Sequence, residues 1–245
     1  MSNKHFKLRK DLSINLCDVK LFRIEANRDI EHLGVKAGDL GGYIEKEENL
    51  DDNAWVYDNA CVYGNALVYN NARVYGNALV YGNAHVRDEA RVYDACQVSG
   101  NARVSDNSRV YNTAWVYGNA WVYGNARVYD DAWVRDNACV YDNALVYGNA
   151  RVYGNACVCD DACVYGDARV TGDKIKGPYD CKNITSEKYN ITILPELLRI
   201  GCQSHTKKEW WNFTDREIIK MDGKEGLKWW KKWKPILMAI CESGS

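Results

Sequence analysis

Arg73, Arg91, Arg109 and Arg127 recur eighteen residues apart, and each stands two residues before a tyrosine: Tyr75, Tyr93, Tyr111 and Tyr129. Guanidinium groups grip carboxylates and phosphates through a planar fork of donors. If the fold brings residues eighteen apart together, these four form a positive strip that repels itself unless something compensates. The tyrosine rings could do so through cation–π contact, and corner carboxylates such as Glu89, Asp94 and Asp130 could do so directly. An external anion could do so as well. A self-stabilising ladder that holds a flat sheet in register accounts for the same column. A second grouping, His85, Arg87 and Arg103 near Ser99 and Ser105, is a candidate small anion pocket. Drift at surface positions explains it equally well. Cys139, Cys157 and Cys159 could offer thiolates to zinc, but no fourth ligand accompanies them, so no metal is predicted.

These side chains belong to one element. From Asn53-Ala-Trp-Val-Tyr-Asp58 to Asp167-Ala-Arg-Val-Thr-Gly172 a six-residue phrase repeats twenty times with no insertion. Its fourth residue is Val in all twenty copies; its second is Ala in eighteen, with Cys96 and Ser108 as the exceptions. Ala-x-Val-Tyr alternates buried and outward positions, the pattern of a strand with one apolar face. The remaining two positions are mostly Gly-Asn, Asp-Asn or Asn-Asn, residues that tolerate positive φ at a sharp corner. A two-residue corner cannot supply the long crossover of ordinary parallel strands. The chain must coil, laying each strand beside one from an earlier turn, with Val and Ala filling a narrow core.

Val followed four residues later by Ala at period six resembles the left-handed parallel β-helix of the hexapeptide-repeat superfamily. That resemblance implies three strands and eighteen residues per coil, a left-handed path, and six to seven coils about 30 Å long at roughly 4.8 Å per strand. On that geometry Tyr57, Tyr75, Tyr93, Tyr111, Tyr129, Tyr147 and Tyr165 form an unbroken ladder. Ser99 and Ser105 interrupt the aromatic cover on two adjacent faces. The lead-in Leu21-Phe-Arg-Ile, then Gly38-Asp-Leu-Gly-Gly-Tyr-Ile-Glu45, then Val-Tyr-Gly-Asn-Ala, is similar to hexapeptide-repeat proteins of bacteriophages and prophages, some of them labelled transferases.

The whole chain is predicted to be mainly β: a cap over residues 1–52, the β-helix over 53–172, and an α+β region over 173–245 ending in a basic, tryptophan-rich helix. Lys20 to Ala26 and Ile14 to Cys17 read as strands of the cap, and Gly38 to Glu45 as tight turns. In the tail, Asn190 to Leu194 and Leu197 to Cys202 read as a strand pair. Thr206 with Glu209 and Thr214 with Glu217 are capping boxes that open helices. Pro235 is predicted to kink or split the last helix, which runs through Leu227, Trp230, Trp233, Leu237 and Ile240.

With 32 basic and 33 acidic residues, the net charge of −1 gives no general drive toward nucleic acid or an anionic membrane. The amino end, Met1-Ser-Asn-Lys-His-Phe, has no signal-like apolar core, no stretch is long enough to span a membrane, and a cytoplasmic location is expected, in a bacterial host cell by the phage resemblance. The ten cysteines are then expected to be free thiols. Many hexapeptide-repeat proteins are trimeric acyltransferases that bind acyl-CoA between subunits and place a catalytic His beside a projecting loop. No such loop interrupts this repeat, and His85 and His205 are the only imidazoles suited to that role. The reading preferred here is a non-catalytic binder without a cofactor. On the phage resemblance, its partner is a host or phage protein or an anionic small ligand, with counter-defence as one use, by blocking a defence protein or sequestering a nucleotide signal. Self-association through an aromatic face into a homo-oligomer is the remaining reading.

Overall fold

The computed structural model describes residues 4–242; Met1, Ser2 and Asn3 of the amino-terminal segment lie outside that span. The twenty hexads form a three-sided parallel β-solenoid. The third and fourth residues of each hexad make the ladder contacts, each pairing in parallel with its counterpart eighteen residues away, as Arg91 with Arg109 and Val92 with Val110. Two faces are seven-stranded sheets, and the third is continued by the amino-terminal strands into a sheet of ten. Backbone donors bridge the coils, with Tyr75 N–H donating to Val92 O at 3.0 Å and Tyr93 N–H to Val110 O at 3.0 Å. The Val column and the column of Ala, Cys96 and Ser108 are fully buried. Fully burying each valine contributes roughly 1.5–3 kcal/mol, so the Val and Ala columns of the three faces together sustain a continuous core. Ser108, where Ala is the rule, satisfies its hydroxyl by donating to Ser105 O at 2.7 Å.

The corners explain the rest of the hexad. The sixth residue has positive φ in every copy, Gly in ten and Asp or Asn in ten, because only these types enter that region cheaply. Where it is Asp, its carboxylate accepts from the corner N–H of the next coil: Asp58 from Gly76 at 3.0 Å, Asp106 from Gly124 at 2.9 Å, Asp136 from Gly154 at 3.1 Å. The first residue, usually Asn, builds an amide ladder along one corner, with Asn83 donating to Asn101, Asn101 to Asn119 and Asn119 to Asn137, each at 3.0 Å.

At the amino end, Phe6–Leu16 and Val19–Ala26 form an antiparallel hairpin, and Val19–Ala26 pairs with Leu40–Ile44. The turn reading of Gly38–Glu45 is corrected here: Leu40–Ile44 is a strand that pairs in parallel with Cys61–Val62. Its glycines serve close approach rather than a bend. A Cβ on Gly41 would sit 2.5 Å from Val56 O, and one on Gly42 would sit 2.6 Å from Ala60 O. The hairpin thus covers the open edge of the first coils, which would otherwise invite pairing with another chain. Its outermost strand carries Lys7, Arg9, Lys10 and Asp11, charges that discourage further addition.

At the carboxyl end, pairing continues past the last hexad, Lys174–Ile175 adding to Cys157–Val158. Four antiparallel strands follow, Lys182–Thr185, Asn190–Ile193, Leu197–Ile200 and Gln203–Thr206, then helices Lys207–Asn212 and Asp215–Glu242. Cys181 and Leu194 join the valine core and close the last coil. Both capping boxes form, with Thr206 accepting from Glu209 N–H at 3.1 Å and Thr214 from Glu217 N–H at 3.4 Å. The long helix breaks at Asp222–Gly223, where Gly223 has φ 69°, and helical backbone runs on through Pro235. Pro235 is exposed, so the carbonyl that its missing N–H leaves unpaired faces solvent. Trp229, Trp230 and Leu237 are buried against Ile191, Leu198 and Trp210. The lysines among them hold acids, Lys231 with Asp215 at 2.7 Å and Lys232 with Glu187 at 2.6 Å. No described helix is long and apolar enough to cross a membrane.

Candidate functional site

The predicted arginine column is assembled on one seven-stranded face. Trp55, Arg73, Arg91, Arg109, Arg127, Leu145 and Cys163 are register neighbours in succession. Beside it the rings of Tyr75, Tyr93, Tyr111 and Tyr129 stack with centroids 4.7, 4.9 and 4.9 Å apart and planes within 4° of parallel. Strand spacing imposes that distance. At the amino-terminal end Trp55 is buried, and Tyr57 turns edge-on to Tyr75 at 84°. Its rotation opens a shallow groove lined by Tyr57, Asp58, Arg73, Tyr75 and Arg91. Burial and the adjacent rings push the Tyr93 and Tyr129 hydroxyls up to about 12. The ladder therefore stays protonated and acts as a row of neutral donors.

The compensation expected for these arginines takes neither internal form. Among the described residues, no tyrosine ring lies under Arg73, Arg91, Arg109 or Arg127; the arginine contacts of that kind are Arg23 with Tyr43, Arg103 with Trp121, Arg135 with Tyr153 and Arg151 with Trp133. The corner carboxylates turn to the corners, each giving an oxygen to an N–H there. Asp94 accepts from Asn112 N–H at 3.1 Å, Asp130 from Gly148 N–H at 3.2 Å, and Glu89 from the Asn71 amide at 2.7 Å. Of the four, among the described residues, Arg73 alone finds a hydrogen-bond partner, the His32 carbonyl at 3.5 Å. Only the sixth position of the hexad could have signalled this, since an Asp there has a corner N–H within reach eighteen residues on.

The second grouping divides between faces. Arg87, Arg103 and Ser105 line a depression together with Asp106, Trp121 and Tyr123, while His85 lies outside its lining. Ser99 follows strand Gln97–Val98, which belongs to the ten-stranded sheet. Period eighteen puts Tyr123 in the Ser105 column and Trp121 beside it, whereas no column signals Asp106, which stands at a corner. Burial, then Arg103 and Arg87, depress the His85 imidazole. Its ring meets Tyr69 edge-on, and among the described residues no carboxylate orients it, as a general base would require. His205 packs edge-on against Trp210 and Phe213, with Nε2 buried and, among the described residues, without a hydrogen-bond partner.

Cys139 and Cys157 are register neighbours, and burial raises the Cys139 thiol. No three metal-ligating side chains are grouped among the described residues. The carboxyl-terminal region holds an apolar recess that the sequence reading missed, lined by Tyr189, Ile200, Trp210, Met221, Trp229 and Trp230.

Against known families, the YdcK Beta solenoid repeat matches residues 72–88, 96–112, 120–136, 138–154 and 144–160, all within the coils. No curated protein matches the chain. In architecture and in these repeats the chain is a β-solenoid repeat protein.

Proposed function

We propose that this β-solenoid repeat protein is a non-catalytic binder whose Arg–Tyr face takes an acidic surface of a partner protein. One observation carries the reading: among the described residues Arg91, Arg109 and Arg127 have no acidic partner, and the neighbouring carboxylates of Asp94 and Asp130 give an oxygen to corner N–H groups rather than to an arginine. A fold that spends its acids on corners while stacking unpaired guanidinium groups supports a role for those groups outside the fold. The tyrosine ladder beside them is rigid and amphipathic. Arg and Tyr are both enriched among the residues that dominate interface energies.

The test compares the wild-type protein with an Arg91→Glu/Arg109→Glu double variant as bait in a bacterial lysate. Proteins retained by the wild type are expected to be acidic at the contact, to elute between 0.1 and about 0.5 M salt as surface charge pairs are screened, and to be lost from the variant. Unchanged capture by the variant would refute the Arg–Tyr face as the site.

A further inference from the structure

The column containing Ser105 runs Tyr69, Arg87, Ser105, Tyr123, Tyr141. Tyr123 and Tyr141 stack with centroids 4.8 Å apart and planes within 3°. One face of the Tyr123 ring is thus covered by Tyr141, and the other looks along the column to the rung where Ser105 stands in place of a ring. Two strand steps separate Tyr123 from Arg87, about 9.6 Å at the usual spacing, which leaves the thickness of one planar ring between them. The space is a surface depression. Ser105 is only 7% exposed and forms the floor, and Arg103, Asp106 and Trp121 complete the lining. Among the described residues the Ser105 hydroxyl has no partner. Arg103 lies over Trp121 at 4.8 Å and has no carboxylate partner among them. Asp106 uses one oxygen on Gly124 N–H at 2.9 Å, which leaves the other free to accept. Arg87 reaches Asp88 only at 3.7 Å.

We infer that this missing rung is a binding site for a nucleotide, whose planar base stacks on Tyr123 beneath the Arg87 guanidinium and whose phosphoryl group pairs with Arg103. A base supplies the π-face that Tyr123 offers to its neighbour elsewhere in the ladder, and guanidinium planes stack on such rings. The free oxygen of Asp106 accepts from an exocyclic amine, and the phosphoryl group takes the charge-assisted bonds that Arg103 does not make internally. The site lies on a different sheet from the Arg–Tyr face and stands or falls separately from it.

Calorimetric titration with AMP, adenosine and inorganic phosphate tests the assignment. AMP is expected to bind, with adenosine and phosphate each at least tenfold weaker. Ser105→Tyr restores the rung with the residue most common in this column and is expected to fold while weakening AMP at least tenfold, the scale of one base stack. Ser99→Tyr, on the neighbouring face, is expected to leave AMP binding unchanged. If Ser105→Tyr proves unstable, Arg103→Gln decides, weakening AMP but not adenosine. No heat from AMP at 1 mM overturns the inference. So does equal AMP affinity in Ser105→Tyr and wild type, equal weakening by Ser99→Tyr, or unchanged AMP affinity in Arg103→Gln.

Discussion

If the arginine column is uncompensated, neutralising a central member should stabilise the fold. Arg109 has Arg91 and Arg127 as register neighbours. Two unit charges about 5 Å apart repel by roughly 0.8 kcal/mol at the dielectric constant of water, before salt screening. Splaying of the long side chains and ions at low salt reduce this to roughly 0.5 kcal/mol for each neighbour. Arg109→Gln removes both repulsions and keeps much of the aliphatic stem, so it should add about 1 kcal/mol, a rise in Tm of roughly 2–4 °C for a chain of this size. The control is Arg151, at the same hexad position on another face, whose guanidinium lies 4.9 Å from the Trp133 ring centroid. Arg151→Gln loses a cation–π contact of about 0.5–1 kcal/mol but relieves one repulsion of about 0.5 kcal/mol from its register neighbour Arg169, so it should give no gain and cost up to about 0.5 kcal/mol. Thermal unfolding in 20 mM and 500 mM NaCl reads both variants. The Arg109→Gln gain should shrink by more than half at the higher salt. A loss of stability in Arg109→Gln, or a gain unaffected by salt, would show that the column is paired internally and would remove the reason for assigning it to a partner.

Two further perturbations address the amino-terminal cap. His5 is buried, its Nε2 donates to Ala54 O at 2.9 Å, and burial depresses its imidazole below the ordinary 6.5. The unfolded chain then binds the proton more readily than the folded one. The contribution of this neutral His is complete above about pH 6.5 and is lost as pH falls below it. Hydrogen exchange at Ala54–Val56 should accelerate between pH 7.5 and 5, after correction for intrinsic rates, and His5→Gln should abolish the excess. Gly42→Ala drives a Cβ to 2.6 Å from both Ala60 O and the Val56 side chain, at a cost of about 3 kcal/mol. Gly34→Ala meets open space at φ 70° and should cost only about 1 kcal/mol in urea unfolding. Equal costs at the two positions would refute the close-approach account of the Gly41-Gly42 pair.

The core of this protein is legible in its sequence because each hexad sits in nearly the same environment. Val56 and Val170 answer to the same neighbours, so the period alone specifies strand, corner and core. The ends lack that redundancy. Gly41-Gly42 read as a turn because the strand crossing them cannot be seen locally, and Pro235 drew the helix break that Gly223 in fact makes. On the outward faces, period eighteen identified the columns but not how their side chains are engaged. Asp94 and Asp130 stood close enough in sequence to be credited to the arginines, whereas the corner N–H groups of the next coil hold them.

The two serine interruptions differ in what surrounds them. Ser99 and Ser105 are the same departure from the same hexad position, six residues apart. Beside Ser99, the Gln97 side-chain amide oxygen Oε1 accepts from the Tyr81 hydroxyl at 3.2 Å and ties that coil to its neighbour. Beside Ser105, Arg103 turns onto Trp121 and a surface depression remains. A repeat therefore fixes where a departure points, while the residue two positions earlier sets what stands beside the gap, Gln97 bonded to Tyr81 or Arg103 laid over Trp121.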